Sequence, residues 1–311
     1  MAIAVVTGGA GFIGSHLVER LLEEGFQVKV LDDFSYGSMD NLKSVEGSVE
    51  VHVVDVSKRE QVKPLLKDVD VVFHLAALVD VPRSFLEPER YWRVNVEGTI
   101  NILEEALERG FKVVYSSSSS VYGYQSTLPI PEDAELKPLT PYGETKLRAE
   151  EECWRYWRRG VRVVALRYFN VYGERQRAGV VSKFLRNALS KRPLTIEGDG
   201  LQVRDFVYVG DVVEANLKAY RSRRAEGMAI NVGTGVGVSI RDLALTVKRA
   251  CLSLGVKVEI TYTKPREGDI PLSIADLRLA SSLLDFKPRV KVLEWVTNRL
   301  VKELGQSDGG P

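Results

Sequence analysis

Ile3-Ala4-Val5-Val6-Thr7-Gly8-Gly9-Ala10-Gly11-Phe12-Ile13-Gly14-Ser15 is the stretch on which the fold turns. Its first four residues, Ile3 to Val6, form a short β-branched run with the composition of a buried strand. Beyond the glycines, Phe12, Ile13, Leu17, Leu21 and Leu22 recur at helical spacing until Gly25. Strand, glycine turn and helix in that order make a phosphate cradle. The glycines permit a tight turn and a close approach of backbone to a pyrophosphate, whose charge is favoured at the helix N-terminus. Gly8, Gly11 and Gly14 give a three-residue spacing, and Gly9, Gly11 and Gly14 satisfy a second glycine form. Alone, either pattern is a weak signal.

The next run supplies context. Val28 to Leu31 reads as a second strand and ends in Asp32 and Asp33, about twenty residues beyond the last glycine. An acid there accepts hydrogen bonds from an adenosine ribose and repels a 2′-phosphate, so the order predicts NAD rather than NADP. The fold class follows as α/β, with a Rossmann-type doubly wound parallel sheet. Val51 to Val54, ending at Asp55 and Val56, reads as a third strand, and Val69 to Leu75 as a fourth. Asp55 is either an adenine-side contact or an exposed strand-end acid. Leu75, Ala76 and Ala77 are small or apolar where the fourth strand leaves the sheet toward the cofactor. A helix is expected from about Pro88 to Arg109, with Asn95 inside it in either a structural or a functional role.

Phe111 to Tyr115 reads as a fifth strand that runs into Ser116–Ser120, Val121, Tyr122 and Gly123. Serine runs are usually linkers, but this one is short and sits at the carboxyl end of a central strand, where open α/β sheets place ligands. Thr140 fits an N-cap and Pro141 the first helical position, so a helix is expected to start there. On it Tyr142 and Lys146 are four apart and share a face. A nearby positive charge favours a phenolate, so Lys146 is expected to lower the Tyr142 pKa. With one serine hydroxyl, the pair makes a candidate proton-transfer set.

The 311 residues carry 43 basic and 42 acidic side chains, a net charge of +1 that gives no bulk field for nucleic acid or an anionic membrane. The aromatic and basic cluster from Trp154 to Arg159 reads as a packed or subunit-facing helix end rather than a nucleic-acid patch. The two cysteines, Cys153 and Cys251, lie far apart, and no spacing of the three histidines suits a metal. No basic leader or long apolar run appears, so the cytoplasm is the expected compartment.

Several of these motifs together resemble the extended short-chain dehydrogenase/reductases, specifically the NAD-dependent nucleotide-sugar epimerase and dehydratase family, and among them the UDP-galactose (UDP-glucose) 4-epimerases. The resemblance rests on the Thr7–Gly14 loop, the Ser116–Gly123 segment, Tyr142 with Lys146, Leu166 to Asn170, and Pro265 to Asp269. It implies Ser118, Tyr142 and Lys146 as the catalytic set. It implies NAD contacts at Gly8, Gly11, Phe12, Ile13, Gly14, Asp32, Asp33, Asp55, Val56, Leu75, Ala76, Ala77, Asn95, Tyr142, Lys146 and Tyr168. On the sugar-nucleotide side it implies Ser118, Tyr142, Asn170, Arg204, Arg266, Asp269 and Ser273, with no metal.

The same resemblance implies a discontinuous NAD-binding domain of residues 1–173 plus about 205–232. A nucleotide-sugar domain of about 174–204 plus 233–304 and a tail of 305–311 complete the division. Reversible C4 epimerisation of a UDP-hexose is the implied activity, and a homodimer packed through helices near 92–109 and 142–158 the implied assembly. Ser119 and Ser120 stand where dehydrating relatives place an Asp-Glu pair and decarboxylating relatives usually an acid, so loss of water is disfavoured. Val79 replaces a lysine found in some 4-epimerases. Ser273 replaces a bulky aromatic of some relatives, leaving room for a 2-acetamido group. A UDP-glucuronate 4-epimerase, a dehydratase or decarboxylase, and a noncatalytic NAD-sensing regulator are the alternatives. Gly233, Gly235 and Gly237 mimic a second phosphate loop but read as a turn before a helix capped by Ser239 with Asp242.

Overall fold

The computed structural model describes residues 1–265 and 269–305. Its strands run in chain order as β1 (Ile3–Thr7), β2 (Gln27–Asp32), β3 (Glu50–Val53), β4 (Val71–His74), β5 (Lys112–Ser118), β6 (Val163–Tyr168), β7 (Asn170–Tyr172), β8 (Leu194–Glu197), β9 (Val203–Tyr208), β10 (Ala229–Val232), β11 (Gly237–Ser239), β12 (Ile260–Thr263) and β13 (Leu272–Ser273). Seven of them form one sheet in the order β10-β6-β5-β4-β1-β2-β3, and every pairing in it is parallel. Parallel strands need crossovers on the faces, which explains the near-continuous apolar reading of the central strands. All four residues of β4 and all six of β6 are buried.

Alternation along each strand divides the core. Val6 packs on the face covered by helices Phe12–Glu23 and Val209–Arg221, beside Leu17, Leu21, Val212 and Leu217. Val5 packs on the other, against Ile102 and Leu103 of helix Gly98–Arg109 and Ala149 and Cys153 of helix Pro141–Trp157. Each such side chain contributes about 1.5–3 kcal/mol by burial, far more than a helix's intrinsic propensities, so these apolar stripes fix which way the helices face.

A second layer holds its own core, with Phe184, Leu194, Ile196, Leu243, Val247 and Val296 buried together. Here β9 is central to a four-stranded sheet, flanked by β11 antiparallel and β13 and β7 parallel, while β12 pairs with β8. Residues 170–172 and 205–208, which the sequence division places with the cofactor part, therefore hydrogen-bond in the smaller sheet.

Three local features depart from expectation. The serine run is ordered strand as far as Ser118, because β6 supplies partners to the end: Ser118 lies opposite Tyr168. The expected helix over 88–109 is broken by one π-helical turn, Arg93–Glu97, which carries the buried Asn95. Gly305 closes helix Val292–Gly305 rather than opening a tail, and residues 306–311 lie outside those described. Among the described residues no helix is long and apolar enough to cross a membrane.

Candidate active site

In an open parallel sheet the crevice forms where the strand order reverses. Here that point falls between β1 and β4, and all candidate residues of β1, β2, β4, β5 and β6 lie at the same carboxyl edge. The glycine loop is tight. A Cβ on Gly14 would stand 2.1 Å from the Gly8 carbonyl oxygen, so only glycine fits. Gly8 N donates to Leu31 O at 2.7 Å, tying the loop to β2. The following helix begins at Phe12, and its N-cap, Gly11, offers no side chain to the first amides. Phe12 and Ile13 are half-buried at this opening.

The two acids ending β2 divide the work. Asp32 is buried and accepts from Ala10 N at 2.9 Å and Phe34 N at 2.8 Å, so it fixes the loop; burial raises its pKa against those bonds. Asp33 is exposed, and its Oδ1 accepts from Ser35 N and Ser35 Oγ. Asp55 likewise turns Oδ1 to Ser57, while Val56 is buried against Gly98. Leu75, Ala76 and Ala77 are half-buried at the exit of β4. An uncapped helix start, a glycine turn too tight for a Cβ at Gly8 or Gly14 and an exposed acid beyond β2 fit a dinucleotide.

Thr140 caps its helix through Gly143 N at 3.0 Å, with Pro141 first, as the sequence predicts. Tyr142 is half-buried, with Ser118 the polar group that draws its pKa down against burial, and Ser118 Oγ accepts from Ser120 Oγ at 2.9 Å. Lys146, one turn on, is buried, and its Nζ donates to Ser116 O at 2.7 Å and stands 5.1 Å from the centre of the Tyr115 ring.

This arrangement corrects the expected tuning. Burial pushes the Tyr142 phenol up, and the group pulling it down is Ser118, not Lys146. The i,i+4 spacing aligns the two side chains, but a carbonyl of β5 captures the ammonium. Burial also brings the Lys146 pKa down to about 8, against the charge of Glu150.

Beneath these groups runs a buried polar chain that the sequence reading missed. Thr99 Oγ1 donates to Asn95 O at 2.7 Å, so its contact with His74 Nε2 at 3.0 Å must use the imidazole proton. His74 Nδ1 then accepts from Thr7 Oγ1 at 2.8 Å, and Thr7 in turn accepts from the amides of Leu75 and Ala76. Burial drops the His74 pKa to about 3, keeping it neutral. Asn95 spends its side chain on Leu78 N, Leu78 O and Thr145 Oγ1, and Thr145 donates to Tyr142 O. The glycine loop, the exit of β4 and the Tyr142 helix are thus one network, and the alternatives for Asn95 resolve toward a clamp. Period-based reading finds apolar faces, whereas Thr7 meets His74 across 67 residues of chain and His74 meets Thr99 across 25.

Toward the smaller sheet, Tyr168 ends β6 with its hydroxyl donating to Asn216 at 3.0 Å. Asn170 is exposed at the start of β7. Arg204 on β9 pairs with Asp269 and donates to Val203 O at 2.8 Å. Ser273 is buried on β13, directly across from Arg204. Arg266 lies outside the described residues. A cavity of about 920 Å³ beside them is lined by Leu201, Gln202, Arg241, Tyr262, Asp269 and Leu272. Val79 is exposed. At the far end of the Tyr142 helix, Arg155 and Arg159 lie over the buried Tyr156 ring at 5.1 and 4.8 Å, while Arg155, Trp157, Arg158 and Arg159 are themselves exposed.

Fold and site together define a dinucleotide-binding α/β protein with a serine, a tyrosine and a lysine grouped beyond its central strand. The chain belongs to the NAD dependent epimerase/dehydratase family, whose model matches residues 4–233, and NAD is its cofactor. It is 40% identical to a putative UDP-glucose 4-epimerase of Methanocaldococcus jannaschii over 94% of this chain and 98% of that one. It is 34% identical to the UDP-N-acetyl-alpha-D-glucosaminuronate decarboxylase of Bacillus cytotoxicus over 92% of both chains. The crystal structure of the Thermotoga maritima UDP-glucose 4-epimerase with UDP-glucose matches with a TM-score of 0.91 at 34% identity, over 98% of this chain and 99% of that one.

Proposed function

We propose that the protein interconverts the C4 epimers of a UDP-hexose, UDP-galactose with UDP-glucose, and accepts N-acetylated UDP-hexosamines as well. The observation that carries this reading is that Ser118 ends β5 while the helix of Tyr142 is tied to the same strand by the buried Lys146, whose Nζ donates to Ser116 O at 2.7 Å. Bound NAD supplies a reversible oxidation at C4 of the sugar. The phenolic oxygen of Tyr142 receives the proton of the 4-hydroxyl and returns it after the sugar has presented its other face. Ser118 hydrogen-bonds the reacting oxygen and favours the phenolate. Lys146 fixes the floor of the site through Ser116 and holds the nicotinamide ribose.

Arg204, Arg266, Asn170 and Asp269 bind the nucleotide diphosphate, the guanidinium forks matching its oxygens. Ser273, small and beside Arg204, leaves space at the 2-position. The two-part domain division, a homodimer through the helices near 92–109 and 142–158, and a cytoplasmic setting belong to the same reading. A uronate substrate is the second reading, favoured by the decarboxylase among the relatives. Ser119 and Ser120 place hydroxyls where removal of water needs carboxylates, which weighs against dehydration. A noncatalytic NAD sensor gives no reason for the Ser118, Tyr142 and Lys146 grouping.

The test is incubation of the purified protein with UDP-galactose, UDP-GalNAc and UDP-glucuronate, without added cofactor, followed by product identification. Epimers of the first two are expected, and turnover of UDP-glucuronate alone would replace this substrate assignment. Tyr142→Phe should lose about 10²–10⁴-fold in kcat with NAD retained. Near-normal turnover in that variant would remove Tyr142 from its role.

A further inference from the structure

Resting on that reading for its ligand, we propose that Asp205 is the positioning residue of the nucleotide-sugar side, latching the strands of Arg204 and Ser273 to the turn that leaves β10. Successive side chains of β9 alternate, so Arg204 and Asp205 point to opposite faces. Asp205 is fully buried. Its Oδ1 accepts from Thr234 N at 2.7 Å and Thr234 Oγ1 at 2.6 Å; its Oδ2 accepts from Gly235 N at 2.8 Å and Ala275 N at 3.1 Å. Among the described residues no cation pairs with it.

Consecutive amides converging on one point form an anion nest. The Gly233–Gly237 turn is therefore a nest after all, but its anion belongs to the chain. A Cβ on Gly233 would stand 2.6 Å from Asp205 Oδ2 and 2.7 Å from the Ala275 Cβ, so the turn closes around the carboxylate.

The latch joins three segments of the chain. Thr234 and Gly235 follow the last strand of the cofactor sheet. Ala275 is two residues beyond Ser273 and also bridges to Ile130, whose amide donates to Ile274 O at 2.8 Å. Asp205 itself is the neighbour of Arg204, and Ser273 lies across from that arginine. A carboxylate accepts at both oxygens, which four donors require. An asparagine turns an amide toward two of those donors and loses half the latch.

The test compares wild type, Asp205→Asn and Thr234→Val by calorimetric titration with UDP, steady-state turnover of UDP-galactose and bound NAD per chain. Asp205→Asn is expected to weaken UDP binding and raise KM by about tenfold or more, with kcat and bound NAD within about twofold of wild type. Thr234→Val removes one donor and is expected to shift both in the same direction by about threefold. Unchanged UDP affinity and KM in a folded Asp205→Asn overturns the proposal, and so does a parallel fall of kcat and bound NAD, which marks a merely structural role. Should Asp205→Asn fail to fold, wild-type UDP affinity in Thr234→Val overturns it. A wild type that binds no UDP removes the functional reading itself, and the inference with it.

Discussion

Two glycine-rich turns leave the same edge of the large sheet, one after β1 and one after β10, and they are built for opposite ends. The first runs straight into a helix whose N-cap is Gly11, so no side chain covers the leading amides. In the second, the amides of Thr234 and Gly235 are occupied by Asp205, an edge strand intervenes, and the next helix is capped by Ser239 on Asp242 N at 2.9 Å. An open nest receives an anion from outside, and a filled nest holds two layers of the protein together. The glycines are similar, so the difference lies in which carboxylate reaches them.

Changing single atoms in the two turns should separate these roles. The largest effect is expected from Gly14→Ala, whose methyl would meet a carbonyl oxygen at 2.1 Å. Purified Gly14→Ala should carry almost no NAD and show no turnover until cofactor is supplied in excess. Wild-type NAD content in that variant would show that the first turn is not the open one.

A buried charge of the catalytic set offers a second, pH-dependent test. Lys146, held against β5 through Ser116 O, has its pKa lowered to about 8 from 10.5 by burial. Between those values the unfolded chain binds more protons than the folded one, so stability rises with pH across that window. Activity that depends on the ammonium falls as pH passes about 8. Opposite trends of melting temperature and kcat between about pH 8 and 10 are expected, and Lys146→Arg should keep its kcat to higher pH. A flat kcat through that range would detach the ammonium from turnover.

The smallest effect belongs to the helix that follows the filled turn. Ser239→Ala removes a cap and should cost about 1 kcal/mol of stability by denaturant titration, with NAD content untouched. A loss of cofactor there would erase the distinction between the two turns.

Local sequence made much of this legible. The order of strand, glycines, helix and acid located β1, the first helix and β2, and Thr140 with Pro141 located the start of the Tyr142 helix. Both rest on interactions that span a few residues. β10 escaped notice because Ala229–Val232 is four residues long and shows no period; it is a strand because β6 lies beside it. The sequence places the serine run at the end of β5, but its extension as strand to Ser118 comes from Tyr168 across the sheet.

By itself the sequence determined the fold class, the opening of the cofactor cradle and the grouping of Tyr142 with Lys146, since turns, caps and helical faces are set by neighbours along the chain. Only the tertiary structure decided that Ser118 rather than Lys146 tunes the phenol, that His74 is held neutral between Thr7 and Thr99, and that the second glycine turn closes on Asp205. Each of those outcomes depends on burial and on donors brought together from distant segments, and neither quantity is written in residue spacing.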